Sequence, residues 1–288
     1  MNKINEIRPA DSDYLARLAD IDTAPDKIYY RGQLPSQRRP SVAIVGTRKP
    51  TAYGREVTEK IASALARRGI IIISGLAIGI DAIAQKSALE AGGTTISVLA
   101  NGLHRIYPST NQRLSEQIVA AGGAIISEYD SGIEPMQYRF LERNRIVSGL
   151  ADIVVITEAA AHSGTLNTAG HALNQGREIF VVPGNITSAM SAGCNKLLRQ
   201  GAQALTDPEQ IIEILLPDSR DQQIVLPIGS TPIEQAIIDA LVGGVRDGDE
   251  ILKRTKVSAS DFNVALSMLE INDIIRPLGA NQWTLAHN

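Results

Sequence analysis

Cysteine is all but absent from this sequence: Cys194 stands alone among 288 residues. No intrachain disulfide can form, and no multi-cysteine metal site can be built. Such a chain reads as a protein of a reducing compartment, most simply the cytoplasm. Long apolar runs are missing too. The longest, Gly69 to Ile73, is strand-sized, far short of the roughly 20 residues of a membrane-spanning helix. The polar opening, Met1 to Pro9, carries no signal-peptide core. Neither sign of charge dominates: 28 Lys and Arg against 31 Asp and Glu leave a net charge of -3. A nucleic-acid surface therefore has to be a local patch.

Several enzyme signatures are also absent. No Gly-x-x-x-x-Gly-Lys-Ser/Thr occurs, which argues against a Walker-type ATPase, and no Gly-x-Gly-x-x-Gly follows the first apolar run as a dinucleotide site requires. Gly-x-Ser-x-Gly and His-Glu-x-x-His are missing, which removes a nucleophile elbow and a zincin. The four histidines, His104, His162, His171 and His287, are scattered. Nothing pairs a nucleophile with a base, and neither a metal nor a cofactor is called for.

What the chain does have is rhythm. Six short apolar runs recur: Val42–Val45, Ile70–Ile73, Ile96–Leu99, Ala124–Ile126, Ile153–Ile156 and Ile179–Val182, with starts 26 to 29 residues apart. Continuous β-branched runs mark strands buried on both faces, as in a parallel sheet. The spacing leaves room for one crossover helix each time. From Arg55 to Arg68 the apolar Val57, Ile61, Ala64 and Leu65 share a face. Glycine follows the expected helix ends at Gly69, Gly92, Gly122, Gly176 and Gly201, where a left-handed cap is cheapest. The pattern predicts an open, doubly wound α/β domain over residues 40–215.

Residues 1–39 read as a lead-in segment with a short helix around Tyr14, Leu15, Leu18 and Ile21 and an edge strand. Residues 216–229 read as a linker. Over residues 230–288 three helices (Ile233–Leu241, Asp249–Arg254, Ser260–Ile271) precede two strands, with Thr231 and Asp249 placed as N-caps. That is the outline of a small winged helix. Its third helix contains no Lys or Arg, and residues 224–288 hold 5 Lys and Arg against 8 Asp and Glu. Duplex DNA binding, which needs cations at phosphates, is not expected of it; protein or interdomain contacts are.

Ligands of open parallel sheets bind beyond the carboxyl ends of the strands. The segments there are polar and glycine-rich, notably Gly46-Thr47-Arg48, Ser74-Gly75-Leu76-Ala77-Ile78-Gly79-Ile80-Asp81 and Ser163-Gly164-Thr165. Together they favour an anionic ligand, although each glycine alone equally suits a tight turn. The most concentrated cationic stretch is Tyr138 to Arg145, with Phe140, Arg143, Asn144 and Arg145. Guanidinium groups beside aromatic rings suit a nucleic-acid strand; ion pairs with Glu128, Glu134 or Glu142 are the alternative.

These motifs, with Tyr53-Gly54, Tyr107-Pro108, Ser127-Glu128 and Gly193-Cys194-Asn195, make the chain resemble the DNA-processing protein A family (DprA, also called Smf) from Val42 to Ala204. The resemblance implies an extended Rossmann-like domain, not an enzyme, that binds single-stranded DNA and helps deliver it to the RecA recombinase as a homodimer. By position it implies Arg48, Arg143 and Arg145 on phosphates or ordering the pocket, Phe140 stacking on a base, and Lys196 as an added phosphate contact. Gln137 stands where some members carry Lys, with Arg139 nearby to compensate. Ile211, Ile212, Ile214 and Leu215 are candidates for the dimer face, or else for helix packing. The rival reading is an enzyme of the lysine-decarboxylase-like group that cleaves nucleoside monophosphates, with Glu158 or Glu128 as its carboxylate.

Overall fold

The computed structural model describes residues 3–217, 229–272, 274–279 and 281–286. The chain divides into two compact units, Met1–Arg220 and Asp221–Asn288. Most of the linker expected over 216–229 lies outside the described residues.

The first unit is built on a nine-stranded sheet. Its first two strands, β1 (Asn5–Ile7) and β2 (Ile28–Gly32), come from the lead-in segment. Then strands and helices alternate: β3 (Ser41–Val45), α1 (Ala52–Arg67), β4 (Ile71–Ser74), α2 (Ile80–Glu90), β5 (Thr95–Val98), α3 (Gln112–Ala120) and β6 (Ala124–Ser127). The second half runs through α4 (Gln137–Leu150), β7 (Ile153–Ile156), α5 (Thr165–Asn174), β8 (Glu178–Val181), α6 (Ala192–Arg199), β9 (Gln203–Ala204) and α7 (Glu209–Leu215). Strand order is β1-β2-β6-β5-β4-β3-β7-β8-β9. All pairings from β6 through β9 are parallel; β2 joins β6, and β1 joins β2, antiparallel. The extended, doubly wound α/β architecture is thus present, and the six apolar runs are β3 to β8.

Those runs are visible in sequence because both faces of each strand are buried. Val42 and Ile44 pack toward α1 and α2, while Ala43 and Val45 pack toward α4 and α5. The five cap glycines all take positive φ, between +64° and +103°, the region that lacks a steric penalty only for glycine. Among the described residues no helix is long and apolar enough to cross a membrane.

Residues 1–39 do more than lead in. Tyr14, Leu15 and Leu18 are fully buried against Ile146, Val147 and Leu150 of α4. The expected short helix is a 3-10 turn, Ala16–Ala19. Three arginines then close the C-terminus of α4: Arg177 donates to Gly149 O at 3.0 Å, Arg38 to Leu150 O at 3.0 Å and Arg17 to Ala151 O at 3.3 Å. Asp152 accepts from Arg17 and Arg38 at 2.6 and 2.8 Å. Cations at a helix C-terminus satisfy its unpaired carbonyls and oppose its dipole.

The second unit contains α8 (Pro232–Val242), α9 (Gly248–Thr255), α10 (Ala259–Ile271) and an antiparallel hairpin of β10 (Ile275–Gly279) and β11 (Gln282–Leu285). Thr231 caps α8 as expected, accepting from Glu234 N at 3.2 Å. The cap of α9 is Asp247, not Asp249: its side chain accepts from Glu250 N at 3.0 Å, and Asp249 lies in the first turn. Its core gathers Ile237, Ile238, Ile251, Phe262, Leu266 and Leu269.

Candidate nucleic-acid interface

The strand order reverses at β3, which pairs with β4 on one side and β7 on the other. A cleft of about 510 Å³ opens there, beyond the carboxyl ends of the strands. Of the residues singled out in the sequence, Gly46, Arg48, Phe140, Arg143, Asn144, Ser163, Gly164 and Thr165 line it. On α4, Phe140, Arg143 and Asn144 share a face because they are spaced i, i+3 and i+4.

The loop that carries Arg48 is held from both sides. Thr47 N donates to Glu158 O at 2.8 Å, and Thr47 O accepts from Ile80 N at 3.1 Å. Gly79, with φ +86°, makes this approach possible; a Cβ there would sit 2.5 Å from Thr47 O and 2.7 Å from Arg48 Cα. Thr47 therefore shapes the loop through its backbone and is not on the cleft wall. Gly75 serves packing as well, since its Cβ would lie 2.3 Å from Arg143 Nη1.

Arg48 is exposed, and its guanidinium stands 5.3 Å over the Phe140 ring. Tyr107 flanks Phe140 with centroids 5.7 Å apart and planes inclined by 55°. Two helix ends complete the walls. The α4 end, which begins after Met136, has no capping side chain and no acidic residue in its first turn, whereas at the start of α5 Thr165 N donates to Ser163 Oγ at 3.2 Å and Leu166 N to Ser163 O at 3.0 Å. The uncapped start of α4 leaves partial positive charge at the cleft. Asp81 is the sole acidic residue of the lining. Burial pushes its carboxyl up, opposed by the charge of Arg143 and by the Gly75 and Ala77 amides.

Arg143 is not a solvent-facing cation. It is 4% exposed and donates to Gly75 O at 2.7 Å and to Val98 O. Burial lowers its guanidinium to about 10, against the pull of Asp81. It ties the turns after β4 and β5 to α4, which is the pocket-ordering alternative of its expected roles. Arg145 stands outside the cleft, about 200° round the helix from Arg143. It is 7% exposed, grips Glu128 at 2.7 and 2.5 Å and donates to Thr23 O at 2.9 Å. Burial opposes its charge, but Glu128 outweighs it and holds the guanidinium above its ordinary value. Its donors are spent inside the fold, so a phosphate role does not suit it. Lys196 is exposed on α6, off the cleft lining. Arg139 cannot stand in for a lysine at Gln137: Gln137 lines the cleft, whereas Arg139 donates to Glu134 O and lies over Tyr129 and Tyr138 at 5.4 and 5.3 Å.

Both carboxylates of the enzyme reading already hold partners within the fold. Glu128 holds Arg145, and Glu158 accepts from Thr51 N at 2.8 Å and Thr51 Oγ1 at 2.6 Å. Among the described residues no group of three or more His, Cys, Asp or Glu is placed to hold a metal ion. Sequence reasoning left Tyr107, Leu141 and Asp81 out of the site. Tyr107-Pro108, an aromatic in the segment after the third apolar run, was the available signal.

The family description DNA recombination-mediator protein A matches residues 5–216. The chain belongs to that family. The match spans nearly all of the first unit and includes the strands of the lead-in segment; the second unit lies beyond it. Protein Smf of Escherichia coli K12 is 41% identical over 226 residues, 76% of this chain, and the match takes in 60% of that protein's length. DNA processing protein DprA of Streptococcus pneumoniae is 38% identical over 68% of each chain. Among solved members, DprA of S. pneumoniae superposes with a TM-score of 0.68 at 37% identity, covering 74% of each chain. DprA of Helicobacter pylori, whose structure was studied for its single-stranded DNA binding mode, superposes with a TM-score of 0.64 at 34% identity, covering 75% of this chain and 97% of that one.

Proposed function

We propose that the chain binds single-stranded DNA in this cleft and helps load it onto the RecA recombinase. The observation that carries the reading is the grouping of exposed Arg48 and Tyr107 and half-buried Phe140 with the uncapped start of α4. The guanidinium and the α4 amide end take phosphates and the rings take a base. Because few groups are aimed at base edges in the cleft, sequence preference there is weak and salt dependence strong. The H. pylori relative's DNA binding, at 34% identity, supports the same use of the fold.

A homodimer would join two such clefts on one strand and raise avidity. The dimer face narrows to the outer side of α7: Ile211 and Ile212 are buried in the core, while Ile214 is exposed. The second unit is proposed to be a winged helix that meets protein and not duplex DNA, since α10 offers no cation.

The test is fluorescence anisotropy of labelled oligo-dT across a salt series. Removing one phosphate contact in Arg48→Ala makes the slope of log K against log salt shallower by about 0.7. Phe140→Ala weakens binding by roughly fivefold or more through lost stacking, at an unchanged slope. Wild-type affinities matched by both variants would refute the assignment.

A further inference from the structure

The same rim of the sheet carries a second recess, of about 550 Å³, outside the cleft. It opens beyond the ends of β7 and β8, between the first turn of α1 and the segment leading into α6. No Lys or Arg lines it, so it has no group to neutralise a phosphate. Its polar groups are instead of the kinds that meet base edges.

Glu158 lies at its floor, 3% exposed. Oε2 accepts from Thr51 N and Oε1 from Thr51 Oγ1, at 2.8 and 2.6 Å. A carboxylate offers about four acceptor positions, so capacity remains. Tyr53 forms one wall; it is 46% exposed, and its hydroxyl donates to Pro183 O at 2.8 Å, which fixes the ring. Asn185, also on the lining, accepts at Oδ1 from Thr187 N and Oγ1 at 3.0 and 2.9 Å, which leaves its amide nitrogen as the donor for a ligand. Asn195 pins the start of that segment, donating to Gly184 O at 3.1 Å and accepting from Gly184 N at 3.4 Å. The walls are therefore preformed. Only Lys49 and Pro50 separate Arg48 from Thr51, no more than about 11 Å of chain. A strand with a phosphate on Arg48 has a neighbouring nucleotide within reach.

We propose that this recess is a nucleobase subsite on the path of the same strand, stacking a base on Tyr53 and taking its donor edge at Glu158, with guanine favoured over thymine. It rests on the reading of the cleft as a single-stranded DNA site. Guanine presents N1–H and the N2 amino group side by side, two donors for one carboxylate. Thymine has a single N3–H flanked by two carbonyl oxygens, which the carboxylate repels.

The experiment is competition anisotropy with the full chain, using a short oligo-dT and a series in which one guanine is moved along it. At one or two adjacent positions guanine raises affinity roughly tenfold. Replacing that guanine with hypoxanthine, which lacks the amino group, removes most of the gain. In Tyr53→Ala the guanine-to-thymine ratio falls to near one, while oligo-dT remains bound through Arg48 and Phe140. Intact oligo-dT binding with no position responding to guanine, or with guanine and hypoxanthine equivalent, overturns the subsite alone. Absence of oligo-dT binding in the wild type overturns the cleft reading instead, and the subsite with it.

Discussion

Glu128→Gln separates a structural Arg145 from a DNA-binding one. The pair is well enclosed, with side chains 9% and 15% exposed, so solvent screening of the ion pair is limited. Gln removes the charge but nearly keeps the shape, leaving a buried guanidinium uncompensated at a cost of about 3–5 kcal/mol. For a unit of this size each kcal/mol moves the melting temperature by roughly 2–4 °C, so a fall of about 6–20 °C is expected. Calorimetry of the full chain measures it as the transition of the first unit. Removing both partners, Glu128→Leu with Arg145→Met, leaves no orphaned charge and melts above Glu128→Gln. It does not fully recover, because Thr23 O and Glu142 O lose the donors that Arg145 gave them at 2.9 and 3.0 Å. The slope of oligo-dT binding against salt stays at the wild-type value in the double variant. A melting shift under about 2 °C for Glu128→Gln would refute the reasoning. So would a slope shallower by about 0.7 in Arg145→Met with the fold intact.

Gly79→Ala forces a Cβ into Thr47 O and the Arg48 backbone at an unfavourable φ, so it lowers both melting temperature and oligo-dT affinity; an affinity unchanged in a folded variant would contradict the clamp. Cys194 is buried, and burial raises its thiol from 9.0 to about 11. It therefore resists thiol reagents at pH 8 until the chain unfolds. Because the folded value is the higher one, the contribution is present below pH 9 and is lost as pH rises toward 11, which urea titrations across that range would detect. Substituting exposed Val264 or Ile271 of α10 leaves duplex binding of the full chain unaltered in a gel shift, since no cation on that helix reaches a phosphate.

The order of residues alone specified the parallel heart of the sheet. Strands buried on both faces must be apolar at every position, so β3 to β8 stand out as runs such as Ile153–Ile156, and the helix ends between them are marked by glycines at positive φ. It also gathered Arg48, Phe140 and Arg143 into candidate segments. In residues 1–39 it gave one edge strand where the structure has two, β1 and β2, because a strand of three residues with mixed burial, such as β1, leaves no periodic trace. Tertiary structure alone sorted the arginines. Arg143 and Arg145 are two residues apart, yet one closes the floor of the cleft on Gly75 and Val98 and the other locks to Glu128. Helical phase sends them to different sides, and their partners come from distant parts of the chain. Arg48 remained available to solvent because a glycine and two backbone hydrogen bonds from other loops hold its segment at the rim. Burial and partnership are properties of the packed chain, and they decided which charges were left to meet a ligand.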